Sequence, residues 1–357
     1  MDLRKRRLQL FFAALGATVL SIALAACGST ASERITAVSV ASPARWTPAV
    51  RISRVLDLSS PRRDGTIVLA TAGHLALLLQ SGAVQQFARG PAGYVNPAGE
   101  EPYLALSTGE RVARAGCTFP RQTLYVLRLQ RGTGVTAIDA RGEARGFASL
   151  PRNGLENGIA FDSTGRFGHR LLVTATKGSR TTVYATDCRG AVSTLTRTAP
   201  KLEGGIAVAP ATFGRFAGDL ITPDENSGRI YAISPNGRSR LVAASGLAHG
   251  GDVGVESAGF VPPGFGAASS ALVADRRTPG NRHPGDDAVL RIDGSSLIAA
   301  GVRPGELIVA TEGGAQTDAI NCTGESCRVR HIADGPPIAH LEGHIVFTDG
   351  RAPGLQP

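Results

Sequence analysis

The chain has 357 residues, with 38 Lys and Arg against 29 Asp and Glu and a formal net charge of +9 at pH 7. The cations are mostly scattered Arg, and aromatics make up 5% of the sequence, so the clustered basic and aromatic surface of a nucleic-acid binder is excluded. The 45 Gly and 21 Pro supply turns between many short elements.

Residues 1–27 begin with Arg4, Lys5, Arg6 and Arg7, continue through the apolar run 8–23, and end on Leu24-Ala25-Ala26-Cys27. That is the layout of an export signal, and the last four residues resemble the lipobox of bacterial lipoproteins. The apolar run is short for a bilayer span, which takes about 20 residues. The resemblance implies that Cys27 carries the lipid, palmitate included, and begins a mature chain held at the extracytoplasmic face of the cell membrane. Loss of four cations and one anion with the signal leaves +6, a surplus suited to an anionic membrane or wall surface. Residues 28–61, mixed in Ser, Thr, Ala and Pro, read as a flexible tether, residues 62–350 as one domain, and 351–357 as a tail.

Past the tether, helical periodicity gives way to short β-rich runs bounded by Gly, Pro, Asn and Asp: 66–70, 124–129, 170–174, 218–222, 229–233 and 271–274. A repeat organises them. Glu101, Glu156, Glu203, Glu256 and Glu342 each precede two mostly small residues and a short apolar strand, at intervals of 55, 47, 53 and 86 residues. The first three intervals are close to the length of one four-stranded propeller blade, roughly 40–50 residues. The last is near twice that, so a divergent blade is expected inside it, with residues 297–300 as its innermost strand. The prediction is an all-β, six-bladed β-propeller, five blades readable and the sixth divergent. The strand beginning at Glu342 is expected to pair with the three strands of residues 66–88, closing the ring and removing exposed edges.

Asn157-Gly-Ile-Ala-Phe-Asp162, and Phe213-Gly-Arg-Phe-Ala-Gly-Asp-Leu220 leading to Gly228-Arg-Ile-Tyr-Ala-Ile-Ser-Pro-Asn-Gly237, resemble blades of the NHL and SMP-30/gluconolactonase-like propellers. The resemblance spans roughly residues 66–349 and rests on structural motifs. It implies a central divalent metal held by Glu, Asn and Asp from different blades, and Asn157 stands where such an Asn is plausible.

A glutamate before each innermost strand places Glu101, Glu156, Glu203, Glu256 and Glu342 around one mouth of the channel, with Asn157 and Asp252 beside them. Crowded carboxylates raise one another's pKa unless a cation or hydrogen-bond donors intervene. Ca²⁺, which takes six to eight oxygens, suits such a set, with Glu156, Asn157, Glu203 and Glu256 as its ligands. Alternatively each glutamate accepts backbone N–H bonds from the adjacent blade, as a repeated clamp. His340, Glu342 and His344 fall on one face of an extended segment, and His249 with Asp252 holds a comparable place before Glu256. His249 and His344 are therefore the candidate acid–base residues. Asp224-Glu225-Asn226 and Asp286-Asp287 read as solvated acidic turns.

Once Cys27 is assigned to lipid, four cysteines face an oxidising compartment. Cys322 and Cys327 flank a hairpin tip and are expected to pair, leaving Cys117 with Cys188 by elimination. The leading functional expectation is a tethered propeller binding a small-molecule or cell-wall ligand at its channel face. A divalent-metal lactonase or hydrolase, and a non-catalytic envelope scaffold, are the alternatives.

Overall fold

The computed structural model describes residues 43–72, 74–89, 102–128 and 133–348. Cys27, residues 28–42, Glu101 and the tail 351–357 lie outside the described residues. The described chain is nearly all-β, with a single short α-helix at Gly294–Ala299.

Four antiparallel four-stranded sheets follow one another along the sequence. The first comprises Val55–Leu58, Ile67–Thr71, His74–Leu78 and Val84–Arg89. The second comprises Leu104–Leu106, Leu124–Leu127, Gly134–Ile138 and Ala144–Ser149. The third comprises Leu155–Phe161, Leu171–Lys177, Arg180–Thr186 and Val192–Ala199. The fourth comprises Ala207–Val208, Leu220–Asp224, Arg229–Ile233 and Ser239–Ala244. Their middle strands are runs of Val, Ile, Leu, Thr and Ala that suit a pleated layer covered on both faces. Leu171–Lys177, for example, is fully buried over its first five residues.

Arg111–Val112 and Cys117–Thr118 make a separate two-stranded hairpin, and the remaining nine strands form one sheet, in the spatial order Ala44–Arg45, Ser326–Asp334, Thr317–Thr323, Leu307–Thr311, Val255–Phe260, Leu341–Thr348, Ser270–Asp275, Ala288–Asp293 and Thr47–Arg51. A single parallel pair, Ala258 with His344, joins its two halves. The chain weaves between them. Val255–Phe260 pairs with Leu307–Thr311, while the next strand in sequence, Ser270–Asp275, pairs with the C-terminal strand on one side and with Ala288–Asp293 on the other.

Three expectations are corrected here. The tether does not extend to residue 61, because Thr47–Arg51 is the edge strand beside Ala288–Asp293 and Val55–Leu58 starts the first sheet. The C-terminal strand pairs with Ser270–Asp275, not with the strands of residues 66–88. Residues 297–300 are not a strand: the segment is the end of the short helix, where Leu297 packs into the core.

Six apolar clusters hold the sheets face to face, in an order that returns to its start. The first and second sheets share one, the second and third another, and the third and fourth a third. The fourth sheet packs on the Val255–Phe260 half of the nine-stranded sheet, that half on the other, and the other on the first sheet. The arrangement is propeller-like, with the innermost strands around a common axis.

One turn recurs where the third strand of a sheet passes to the fourth. Gly142, Gly190 and Gly237 sit there at φ +93°, +85° and +80°, a region costly for any residue with a Cβ. A Cβ at each would also lie 2.3–2.6 Å from a backbone carbonyl of the preceding sheet, at Phe147 for Gly190, Phe87 for Gly142 and Leu195 for Gly237. Both expected disulfides form. Cys322–Cys327 closes a hairpin, and Cys117–Cys188 ties the Arg111–Thr118 hairpin, which interrupts the sequence between two strands of the second sheet, to the last turn of the third.

Candidate functional site

Every innermost strand contributes to a pocket of about 340 Å³ at one end of the axis. Leu58, Leu104, Ile159, Val208, Gly259 and Val346, one from each strand, represent its apolar lining, while Ser60, Thr108 and Ser163 add hydroxyls. His344 and Glu110 supply its ionisable groups.

His344 reaches this place because Gly343 adopts φ +68°, and the pairing with Ser270–Asp275 slips around it. A Cβ on Gly343 would stand 2.3 Å from Asp57 Oδ1. The bulge also separates His344 from His340 and Glu342, which explains why the expected shared face of these three residues does not survive. His344 Nδ1 lies 2.9 Å from Asp57 Oδ2, and Nε2 lies 3.1 Å from the Ile159 carbonyl. Two acceptors facing both ring nitrogens favour the doubly protonated ring. Burial alone would lower the His344 pKa, but the Asp57 charge and hydrogen bonds outweigh it and the pKa is raised. Asp57 is fully buried, and it also accepts the Leu104 and His344 backbone amides at 2.8 Å each. The clamp across neighbouring sheets is thus Asp57, an aspartate that the glutamate template does not contain and that falls inside the supposed tether. With both nitrogens engaged, His344 braces the innermost strands and is poorly placed to move protons.

Deeper along the axis lies a buried polar cluster. Tyr103 Oη donates to Glu256 Oε1 at 2.7 Å and lies 3.3 Å from Glu342 Oε2. Arg276 Nη1 meets Glu342 Oε1 at 2.8 Å, and His340 Nε2 meets Glu312 Oε1 at 2.6 Å and Glu342 Oε1 at 3.4 Å. Burial opposes the charge on His340, yet its hydrogen bonds to Glu312 and Glu342 raise its pKa to about 10. Burial pushes Glu312 up to about 8 despite the His340 bond. Burial likewise opposes ionisation of Glu342, but His340 and Arg276 hold its pKa below the ordinary value. One carboxylate oxygen each from Glu225, Glu256 and Glu312 lies within 4.8 Å of the other two. Glu225 Oε1 is buried without a hydrogen-bond partner, so the three oxygens fit a hard cation in number and chemistry.

The expected ligand set does not assemble. Glu256 belongs to the cluster, but Glu156 and Glu203 join none of the close carboxylate groups among the described residues. Both carboxylate oxygens of Glu156 are buried without a well-formed hydrogen bond, and burial raises its pKa to about 8, with the nearby Gly134 backbone amide and then the charge of Arg128 as smaller opposing effects. Asn157 Nδ2 donates to the Leu202 carbonyl at 2.7 Å and to Thr176 Oγ1 at 3.0 Å, tying the third sheet to the approach of the fourth. Glu203 pairs with Lys201 at 3.2 Å. His249 and Asp252 are exposed on one loop, with His249 Nδ1 3.4 Å from the Leu247 carbonyl. Glu225 was expected in a solvated turn and is instead 5% exposed. Asp57, Tyr103, Glu225, Arg276 and Glu312 escape a search for repeats because they occur at different steps of the repeat. Tyr103, two residues past Glu101, was the available signal.

No family model matches the sequence, and no curated protein matches it. Among solved structures, virginiamycin B lyase from Staphylococcus aureus is 10% identical with a TM-score of 0.41, covering 78% of this chain and 70% of its own. A protein provisionally named a gluconolactonase is 10% identical with a TM-score of 0.45, covering 85% of this chain and 94% of its own. A protein from Lactobacillus plantarum is 13% identical with a TM-score of 0.41, covering 86% and 87%. Likeness at these identities transfers no activity from one chain to another.

Proposed function

We propose that this chain is a membrane-tethered, extracytoplasmic six-bladed β-propeller that binds a small, largely apolar ligand where its innermost strands meet. The blade count follows from dividing the nine-stranded sheet at its single Ala258–His344 pair. Each half then holds a four-stranded blade, with Ala44–Arg45 as an extra edge. Cys27 holds the protein to the membrane by its lipid, and Cys27→Ser should release it from the membrane fraction; retention of that variant would contradict the anchor.

The observation that carries the binding reading is the axial pocket, apolar over most of its wall and touched by every innermost strand. Pockets of this kind, with a few convergent polar groups, are where small ligands bind. Binding is favoured over catalysis because the two ionisable side chains of the lining are already engaged: His344 has both nitrogens committed to Asp57 and Ile159, and Glu110 accepts the Ser107 and Thr108 hydroxyls at 2.6 and 2.7 Å. The test uses residues 28–357 and the neutral fluorophore N-phenyl-1-naphthylamine. Ala207 lines the pocket and is half-buried, so Ala207→Trp fills the space from its edge. The wild type should bind one fluorophore per chain, and the variant at least tenfold more weakly with an unchanged Tm. Equal binding by the two would refute the site.

A second reading, a metal-dependent lactonase, is favoured by Glu225, Glu256 and Glu312, with the unpartnered Glu225 Oε1 among them. These three would hold Ca²⁺ or another divalent cation, which when bound would polarise a lactone carbonyl. Against it, His340 already draws on Glu312 at 2.6 Å. This reading expects Ca²⁺ to raise the Tm of the wild type but not of Glu225→Gln, with turnover of a lactone panel. No shift and no turnover would dismiss it.

A further inference from the structure

Away from the axis, the segment around Arg114, the loop through Arg166 and the turn at Asp187 enclose a groove of about 750 Å³. Its lining carries Arg111, Arg114, Arg166, His169 and Arg170 against one acid, Asp187. Asp187 is already occupied, its Oδ1 accepting the backbone amides of Arg189 and Ala191 at 2.9 and 3.0 Å. None of the four arginines makes an ion pair among the described residues. Arg170 is half-buried and spends Nε on the Phe167 carbonyl and Nη1 on Ser193 Oγ, at 2.6 and 2.7 Å. Burial, and next the charge of Arg114, lowers the Arg170 pKa.

Two devices fix the walls. Asp162, fully buried, accepts five hydrogen bonds from Thr164, Gly165, Phe167 and His169. They hold the 162–170 loop through three left-handed positions, Gly165, Gly168 and His169, at φ +81°, +76° and +58°. The Cys117–Cys188 disulfide pins the segment carrying Arg114 to the turn carrying Asp187. Cations crowded on an immobile frame repel one another, and a ligand of opposite charge relieves that repulsion without first having to order the site. Guanidinium forks match the oxygens of phosphate groups in pairs.

We propose that this groove is a binding site for a linear ligand carrying two or more phosphate groups. The volume of about 750 Å³ and the number of cations exceed what a single oxyanion needs, and the groove is separate from the axial pocket, so the site stands independently of the activity proposed above.

The test titrates sodium tripolyphosphate into the full chain in a neutral detergent, by calorimetry at low ionic strength. Arg114 and Arg166 are exposed and make no side-chain hydrogen bond, so Arg114→Gln with Arg166→Gln leaves the core intact. The proposal expects one site per chain, weakened at least tenfold in the double variant and unchanged in Arg328→Gln, an exposed arginine in a different pocket. Should the double variant fail to fold, Arg114→Gln alone should weaken binding by about threefold. Absence of binding to the wild type, wild-type affinity in the Arg114 and Arg166 variants, or an equal loss in Arg328→Gln would each overturn it.

Discussion

Single residues carry the chemistry of the axis, and burial decides their charge. Glu156 is the clearest case: it is 2% exposed, lacks a well-formed hydrogen bond and has its pKa raised to about 8 by burial. A carboxyl whose folded pKa lies above its unfolded value favours the fold while protonated, so its contribution is fully present below about pH 4.5 and is lost as the pH rises toward 8. Glu156→Gln keeps the shape and removes the ionisation. It should leave the Tm nearly unchanged at pH 4.5 and stabilise the protein at pH 8 by up to about 4 kcal/mol, given a rise from 4.5 to about 8 and roughly 1.4 kcal/mol per unit of pKa. Thermal unfolding at the two pH values checks this, and a variant less stable than the wild type at pH 8 would show that the glutamate is ionised and paired. The Glu156 position was visible in the sequence as part of a repeat. Its role was not, because a template records which residue recurs and not which neighbour its side chain meets. Asp57 shows the reverse: no repeat marks it, yet it accepts hydrogen bonds from Leu104 and His344.

Elements, by contrast, were largely legible. Arg229–Ile233 was read with its observed bounds, and Leu171–Lys177 and Leu220–Asp224 lie within three residues of the expected 170–174 and 218–222. Local signals sufficed there, since hairpin turns and β-branched runs are properties of neighbouring residues. Pairing between distant strands has no such local signature, and it was at Ser270–Asp275 that expectation failed: the strand leaves its sequence neighbour Val255–Phe260 to pair with Leu341–Thr348. The recurring glycine turn gives this scale its prediction. Gly190 is held both by φ +85° and by the Phe147 carbonyl 2.3 Å from where a Cβ would be, whereas Gly178 has φ +60° and nothing within 4 Å. Gly178→Ala should cost about 1 kcal/mol from backbone conformation alone. Gly190→Ala should cost about 2–3 kcal/mol, because the neighbouring sheet must also shift. Denaturant unfolding of both variants decides it, and equal losses would mean that the close approach between sheets contributes nothing.

At the scale of the whole molecule, the described chain opens at one edge of the nine-stranded sheet with Ala44–Arg45, crosses to the opposite edge with Thr47–Arg51, and ends with Leu341–Thr348 on the axis. The weave places the axial strand that carries His344 last in sequence, so the pocket is complete only when the C-terminal strand has docked. Packing in a closed order leaves the axis as the one place where residues from every sheet converge, and the proposed ligand site follows from that convergence. Hydrogen exchange on residues 28–357, with and without N-phenyl-1-naphthylamine, tests it most directly. The account predicts that the ligand slows exchange at the innermost strands, in Leu104–Leu106, Leu155–Phe161, Val255–Phe260 and Leu341–Thr348 together. Slowing confined to outer strands or to the arginine groove, with the innermost amides unchanged, would contradict it.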